Sequence, residues 1–195
     1  MLNFYRVIKI FEPLEKSHFD FSYILETVPS RNRILAIIPV QTDIWELSFD
    51  FVLKEDLPTS WMSLVRLSTT EDNTQVIGYR IPSVYIRGRR MDIGYSTHSN
   101  PYKFVSKNLE LNRKYRLKIR QCVDLSDPKA LHKLVSLDGL LIRKQKHSFF
   151  ATKFTNIKIY LGDNSFPSAP VQISNFVYTP NLLYPGMYPS HNYQL

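Results

Sequence analysis

In the stretch "KYRLKIRQ" cations occupy every second position: Arg116, Lys118 and Arg120. At strand spacing, alternate residues point the same way and lie about 6.5–7 Å apart. Such a row offers donors to sulfate or carboxylate groups, and arginine adds a planar fork that grips an oxyanion through two parallel hydrogen bonds. "IRGRRMD" supplies Arg87, Arg89 and Arg90, and "LIRKQKH" supplies Arg143, Lys144 and Lys146. Gathered onto one surface these side chains form a basic platform for an anionic ligand. Scattered among acids such as Glu110 they are a solvated exterior and nothing more. The whole chain leans the same way: its 195 residues carry 25 Lys+Arg against 17 Asp+Glu, a formal charge of +8. That excess favours sulfated glycans, nucleic acid or acidic lipid headgroups as partners. No recognisable nucleic-acid module accompanies the charge, so nucleic acid is not the expected partner.

Other chemistries find little footing. Six glycines, all scattered, make no phosphate loop or dinucleotide fingerprint, and no G-x-S-x-G elbow is present. His18, His98, His132, His147 and His191 show neither the i,i+2 spacing of a strand pair nor the i,i+4 spacing of a helix pair, so no zinc site is expected. Asp163–Asn164 and Asp124/Asp127 are read as turn-forming acids rather than calcium ligands. The lone cysteine, Cys122, has no nucleophile context and cannot form an intrachain disulfide. The expectation is a chain without catalytic residues, metal or cofactor.

The elements that must carry these cations are strands. In "WELSFDFVL" the residues Trp45, Leu47, Phe49, Phe51 and Leu53 alternate with Glu46, Ser48 and Asp50, which is the pattern of a strand with one buried face. Ile157, Ile159 and Leu161 alternate in "NIKIYLGD", and Tyr115, Leu117 and Ile119 oppose the cations of "YRLKIR". "RILAIIPV" is continuously apolar and is expected to be covered on both sides, with Pro39 at its end or at a bulge. Asp138–Gly139 between apolar runs marks a two-residue hairpin. Further strands are expected in "SLVRLST", "IPSVYIRG", "RMDIGYST" and "VQISNFVYT", while "DPKALHKLV" reads as the start of a helical turn. Many short strands divided by Asn/Asp/Gly/Pro clusters point to an all-β, antiparallel sandwich or barrel.

One domain is expected over residues 1–178, followed by a Pro/Tyr-rich tail over 179–195. The opening "MLNFYRVIKIFEPLEK" is not read as a signal peptide, and no apolar run approaches the ~18 residues that a membrane-crossing helix needs.

Several pieces follow a familiar order. Trp61 precedes "SLVRLST"; "GYRIPSVYI" places Gly78, Arg80 and Pro82; then come "LELNRKYRLKIRQ", a hairpin carrying "DG", and finally "FTNIKIYLGDNSFPSAPVQISNFVYT". This resembles the concanavalin A-like lectin/glucanase superfamily, and within it the animal LamG-type domains that close with F-x-N-V-x-V-Y and A-x-I-x-N. The resemblance covers roughly Trp45 to Tyr178 and implies a two-sheet antiparallel jelly-roll sandwich, used for binding in a secreted or cell-surface protein. Two departures stand out: Tyr115 replaces a tryptophan usual in such domains, and the cysteines of many extracellular members are missing, which leaves an intracellular location open.

The glucanase branch carries Glu-x-Asp-x-x-Glu, whose first and third residues share one strand face, and no such run occurs here. "HSNPY" resembles the galectin His-x-Asn-Pro-Arg strand, which makes His98, Asn100 and Tyr102 candidate sugar contacts, with Tyr102 in place of the arginine. As plain sequence, Asn-Pro is an ordinary turn signal. The expected function is a non-enzymatic binding module for an anionic glycan or a protein partner, through Arg87, Arg89, Arg90, Arg116, Lys118 and Arg120. The alternative is a structural or assembly subunit that uses its tail and basic surface.

Overall fold

The computed structural model describes residues 21–23, 26–42, 44–69, 80–95, 103–124, 127–147, 154–163 and 165–180. They form twelve strands and, among the described residues, no helix. The strands are β1 (Phe21–Tyr23), β2 (Arg33–Val40), β3 (Trp45–Leu53), β4 (Met62–Ser68), β5 (Ser83–Arg87), β6 (Arg90–Tyr95), β7 (Lys103–Asn108), β8 (Lys114–Asp124), β9 (Asp127–Leu137), β10 (Leu140–His147), β11 (Thr155–Leu161) and β12 (Val171–Pro180). Two six-stranded sheets result, one ordered β1-β12-β3-β8-β9-β10 and the other β2-β11-β4-β5-β6-β7. All named pairings are antiparallel. This is the expected sandwich.

Period-2 patterning builds its core. Leu47, Phe49 and Leu53 of β3 are fully buried, and Phe49 stacks on Phe176 of β12 at 5.5 Å between ring centroids. Tyr115 of β8 stacks on Phe51 at 5.4 Å, so this ring fills the interior. Its hydroxyl accepts a 2.6 Å hydrogen bond from the Glu110 N–H, which a tryptophan could not do. Each such large side chain contributes roughly 1.5–3 kcal/mol by leaving water.

Turn chemistry sets the register. Asp138 and Gly139 hold φ of 52° and 80°, the doubly left-handed pair of a two-residue hairpin between β9 and β10. Gly162 ends β11 at φ 85°, and a methyl there would collide with the Ser168 hydroxyl and lie 2.7 Å from the Ser30 carbonyl oxygen. Gly162→Ala is therefore expected to cost about 2–3 kcal/mol in a denaturant melt, adding backbone strain to a clash with main chain.

Two expectations are corrected. Residues 127–137 extend β9 instead of starting a helix. Lys133, Val135 and Leu137 alternate with the half-exposed Leu134 and Ser136, and ladders to β8 and β10 on both sides outweigh the Asp-Pro capping signal. The apolar run "RILAIIPV" is not covered on both sides. It is the edge strand β2, with Ile38 buried but Ile34, Ile37 and Val40 about half exposed. Pro39 suits that edge, because its missing N–H is a donor an edge need not supply. Neither sheet order nor edge position can be read from a run of apolar letters.

Candidate ligand-binding face

The first sheet turns one face inward and one outward. On β8 the inward residues are Tyr115, Leu117 and Ile119, so Lys114, Arg116, Lys118 and Arg120 face out, as alternation requires. Register carries this across the sheet. Arg120 lies opposite Leu134, which lies opposite Lys144; Lys118 lies opposite Ser136; and Cys122 lies opposite His132, which faces Lys146. Directly opposed residues share a face. The outer surface of β8, β9 and β10 is thus a basic band over a small, less charged floor. Arg116, Lys118, Arg120, Leu134, Ser136 and Gly139 line a shallow groove of about 440 Å³ there.

Carboxylates on β3 hold the cations in place. Asp50 pairs with Arg116 at 2.8 Å and Lys114 at 3.0 Å. Glu46 pairs with Arg120 at 2.7 Å and Lys118 at 3.0 Å. Arg116 also donates to Ser48 Oγ at 3.0 Å and to the Asn175 carbonyl at 3.2 Å. Asn175 stands in the left-handed region at a bulge of β12, and its side-chain amide donates to Asp50 Oδ2 at 2.7 Å. Each acid therefore serves two cations, and the band keeps an excess of positive charge. Arg116 and Lys118 remain 40% and 44% exposed, within reach of a ligand. On β10, Lys144 is exposed and makes no ion pair among the described residues.

Burial raises the Asp50 carboxyl, but hydrogen bonds from Arg116, Asn175 and Lys114 outweigh it and hold the group below the usual carboxylate range. A depressed folded-state value means that this stabilisation is present above the unfolded value and is lost as pH falls through the folded one. Asp50→Asn is accordingly expected to lower stability at pH 7 and to have little effect near pH 2, read from urea melts at both.

The other predicted cations are elsewhere. Arg87, Arg89 and Arg90 sit on and beside the β5–β6 hairpin of the second sheet, so they do not join the β8 row. Arg87 and Arg90 share Asp92 at 2.8 Å and 3.0 Å, Arg89 is paired with Asp56, and the Arg87 guanidinium covers the Trp61 ring at 4.6 Å. Their donors are largely committed to structure. Glu110, the expected neutraliser of the basic row, instead pairs with Arg113. Sequence reasoning passed over Glu46 and Asp50 in that role, although their alternation on one strand face was visible. Which strand lies beside β8 was not. His98, Asn100 and Tyr102 lie outside the described residues, as do residues 181–195 of the expected tail.

No protein-family model matches the chain, and no curated protein does. Solved structures match in fold. The binding domain of botulinum neurotoxin serotype D aligns with TM-score 0.55 and 14% identity over 85% of this chain and 40% of its own. A receptor binding domain of botulinum neurotoxin D aligns with TM-score 0.54 and 14% identity over 85% and 41%. A sialidase from Trypanosoma rangeli aligns with TM-score 0.50 and 16% identity over 70% of this chain and 20% of its own. The chain spans less than half the length of each of these proteins. The sialidase corrects the expectation of a non-enzymatic chain. A sandwich of this kind also occurs within an enzyme, so neither the fold nor the missing Glu-x-Asp-x-x-Glu run excludes catalysis.

Proposed function

We propose that the chain is a binding domain of concanavalin A-like kinship that takes an anionic glycan on the outer face of β8, β9 and β10. The observation that carries this reading is the groove in which Arg116, Lys118 and Arg120 stand along one wall, fixed by Glu46 and Asp50. Prepositioned cations lose little side-chain freedom when a ligand arrives, and their remaining N–H groups fit sulfate or carboxylate oxygens. The fold shared with two toxin binding domains and the motif order in the sequence support a recognition role. With that kinship goes a position outside the cell or at its surface.

Titration calorimetry with heparin oligosaccharides and with polyglucuronate, at low and moderate salt, tests the proposal. Binding is expected to weaken as salt rises, because the contacts are partly exposed charges. Lys118→Glu is expected to weaken it by roughly tenfold, since it removes one attractive charge and adds a repulsive one beside Glu46. Equal binding of a neutral glycan, or no change in Lys118→Glu, would remove this reading and favour a protein partner.

A further inference from the structure

Strand β9 divides its residues between two faces. Lys133, Val135 and Leu137 point inward; Lys133 is only 9% exposed, and its Nζ lies 4.7 Å from the centroid of the Tyr95 ring on β6 of the opposite sheet. Leu134 and Ser136 point outward onto the basic face. Past the Asp138–Gly139 turn the chain continues with Leu140 and Leu141, which are 67% and 50% exposed. Leu140 is the most exposed large hydrophobic among the described residues. Leu141 lies opposite Ser136, which lies opposite Lys118, so it shares the outer face with the β8 cations.

Cations frame the two leucines. Arg143 and Lys144 follow them on β10, are exposed, and make no ion pair among the described residues. Lys144 lies opposite Leu134, which lies opposite Arg120, so it too belongs to the outer face. The acids of this corner are already engaged. Asp138 pairs with Arg113 at 3.0 Å and accepts from the Arg116 backbone N–H at 2.8 Å, and Glu110 also pairs with Arg113. Two leucines at a hairpin end cover a small part of the ~800 Å² per partner that a stable protein interface buries. A bilayer makes no such demand. Its interface accepts an apolar tip of any shape, and acidic headgroups draw cations to the same surface.

We propose that the β9–β10 hairpin is a membrane contact for acidic phospholipid. Leu140 and Leu141 enter the boundary between headgroups and acyl chains, and Arg143, Lys144 and Lys118 meet the anionic headgroups around them. The contact adjoins the proposed glycan groove without depending on it, because the leucines lie outside the wall formed by Arg116, Lys118 and Arg120.

Flotation with vesicles of phosphatidylcholine and phosphatidylserine in a three-to-one ratio, against vesicles of phosphatidylcholine alone, tests this. The chain is expected to float with the acidic vesicles only, and less as salt rises. Leu140→Ser with Leu141→Ser is expected to lower the partitioning at least ~10-fold, by removing the apolar anchor. Lys144→Ala is expected to lower it about fivefold, the worth of one cation near an anionic surface. Leu140→Trp is expected to shift tryptophan emission to the blue on acidic vesicles, as its ring leaves water. All four positions altered are exposed or at the hairpin end, and a urea melt checks that each variant folds. The leucine double variant is expected to keep its heparin binding. Floating equally well without the leucines would mean that charge alone acts, and would overturn the proposal. Failure to float with either vesicle overturns it too and favours a protein occupant, while heparin titration of the same sample shows separately whether the glycan reading stands.

Discussion

Lys133→Met is expected to stabilise the protein by about 2–3 kcal/mol at pH 7. The amine value falls from 10.5 to about 8 through burial. That shift corresponds to about 3 kcal/mol against the folded state when the group is charged, of which the Tyr95 ring returns a part. The folded chain holds this proton less tightly than the unfolded chain. The penalty is therefore complete below about pH 8, shrinks as pH rises towards 10.5, and is gone above it. Methionine is one heavy atom shorter, fills most of the same space with an apolar, adaptable chain and carries no charge. Urea melts at pH 6.5 and pH 10.5 should show the gain at the lower pH and little at the higher. A gain independent of pH would mean that packing, and not the buried charge, is responsible.

The opposite result is expected at the second sheet. Arg66 of β4 is fully buried, with its guanidinium 4.6 Å over the Tyr160 ring and 4.0 Å from Asp163, which is also fully buried. Asp163 organises the β11–β12 connection as well: its Oδ1 accepts from the N–H groups of Ser165 and Phe166, at 2.9 Å each. Asp163→Ala takes the carboxylate from a buried cation and two acceptor contacts from the loop. The expected cost is about 3–5 kcal/mol, the range for breaking a buried pair from one side. Arg66→Met in the same background should recover much of this, since the stranded charge goes with it. If the double variant is as unstable as the single one, the loop contacts dominate and the ion pair matters little.

These residues also show what was legible beforehand. Asp163 reads in the sequence as a turn-forming acid, and in the structure its side chain does bind the two N–H groups that follow it. Its second role, facing Arg66 about a hundred residues away, has no local signature. Lys133 falls in a stretch that reads as a helical start, so its inward direction was hidden. Once 127–137 is a strand, its parity with Val135 and Leu137 puts it in the core. The β8 cations were legible as a row because alternation is a local property.

By itself, then, the sequence determined that the chain folds as antiparallel strands in two layers, which residues of β3, β8 and β11 fill the space between them, and where the Asp138–Gly139 hairpin turns. Those follow from side-chain period and backbone preference, which act over a few residues. Tertiary structure alone decided that Glu46 and Asp50 stand beside the β8 cations, that the β5–β6 arginines belong to the other sheet, and that β2 is an edge. Strand order arises from contacts between distant segments. Charges on neighbouring strands interact over a few ångströms of space, whatever their separation along the chain.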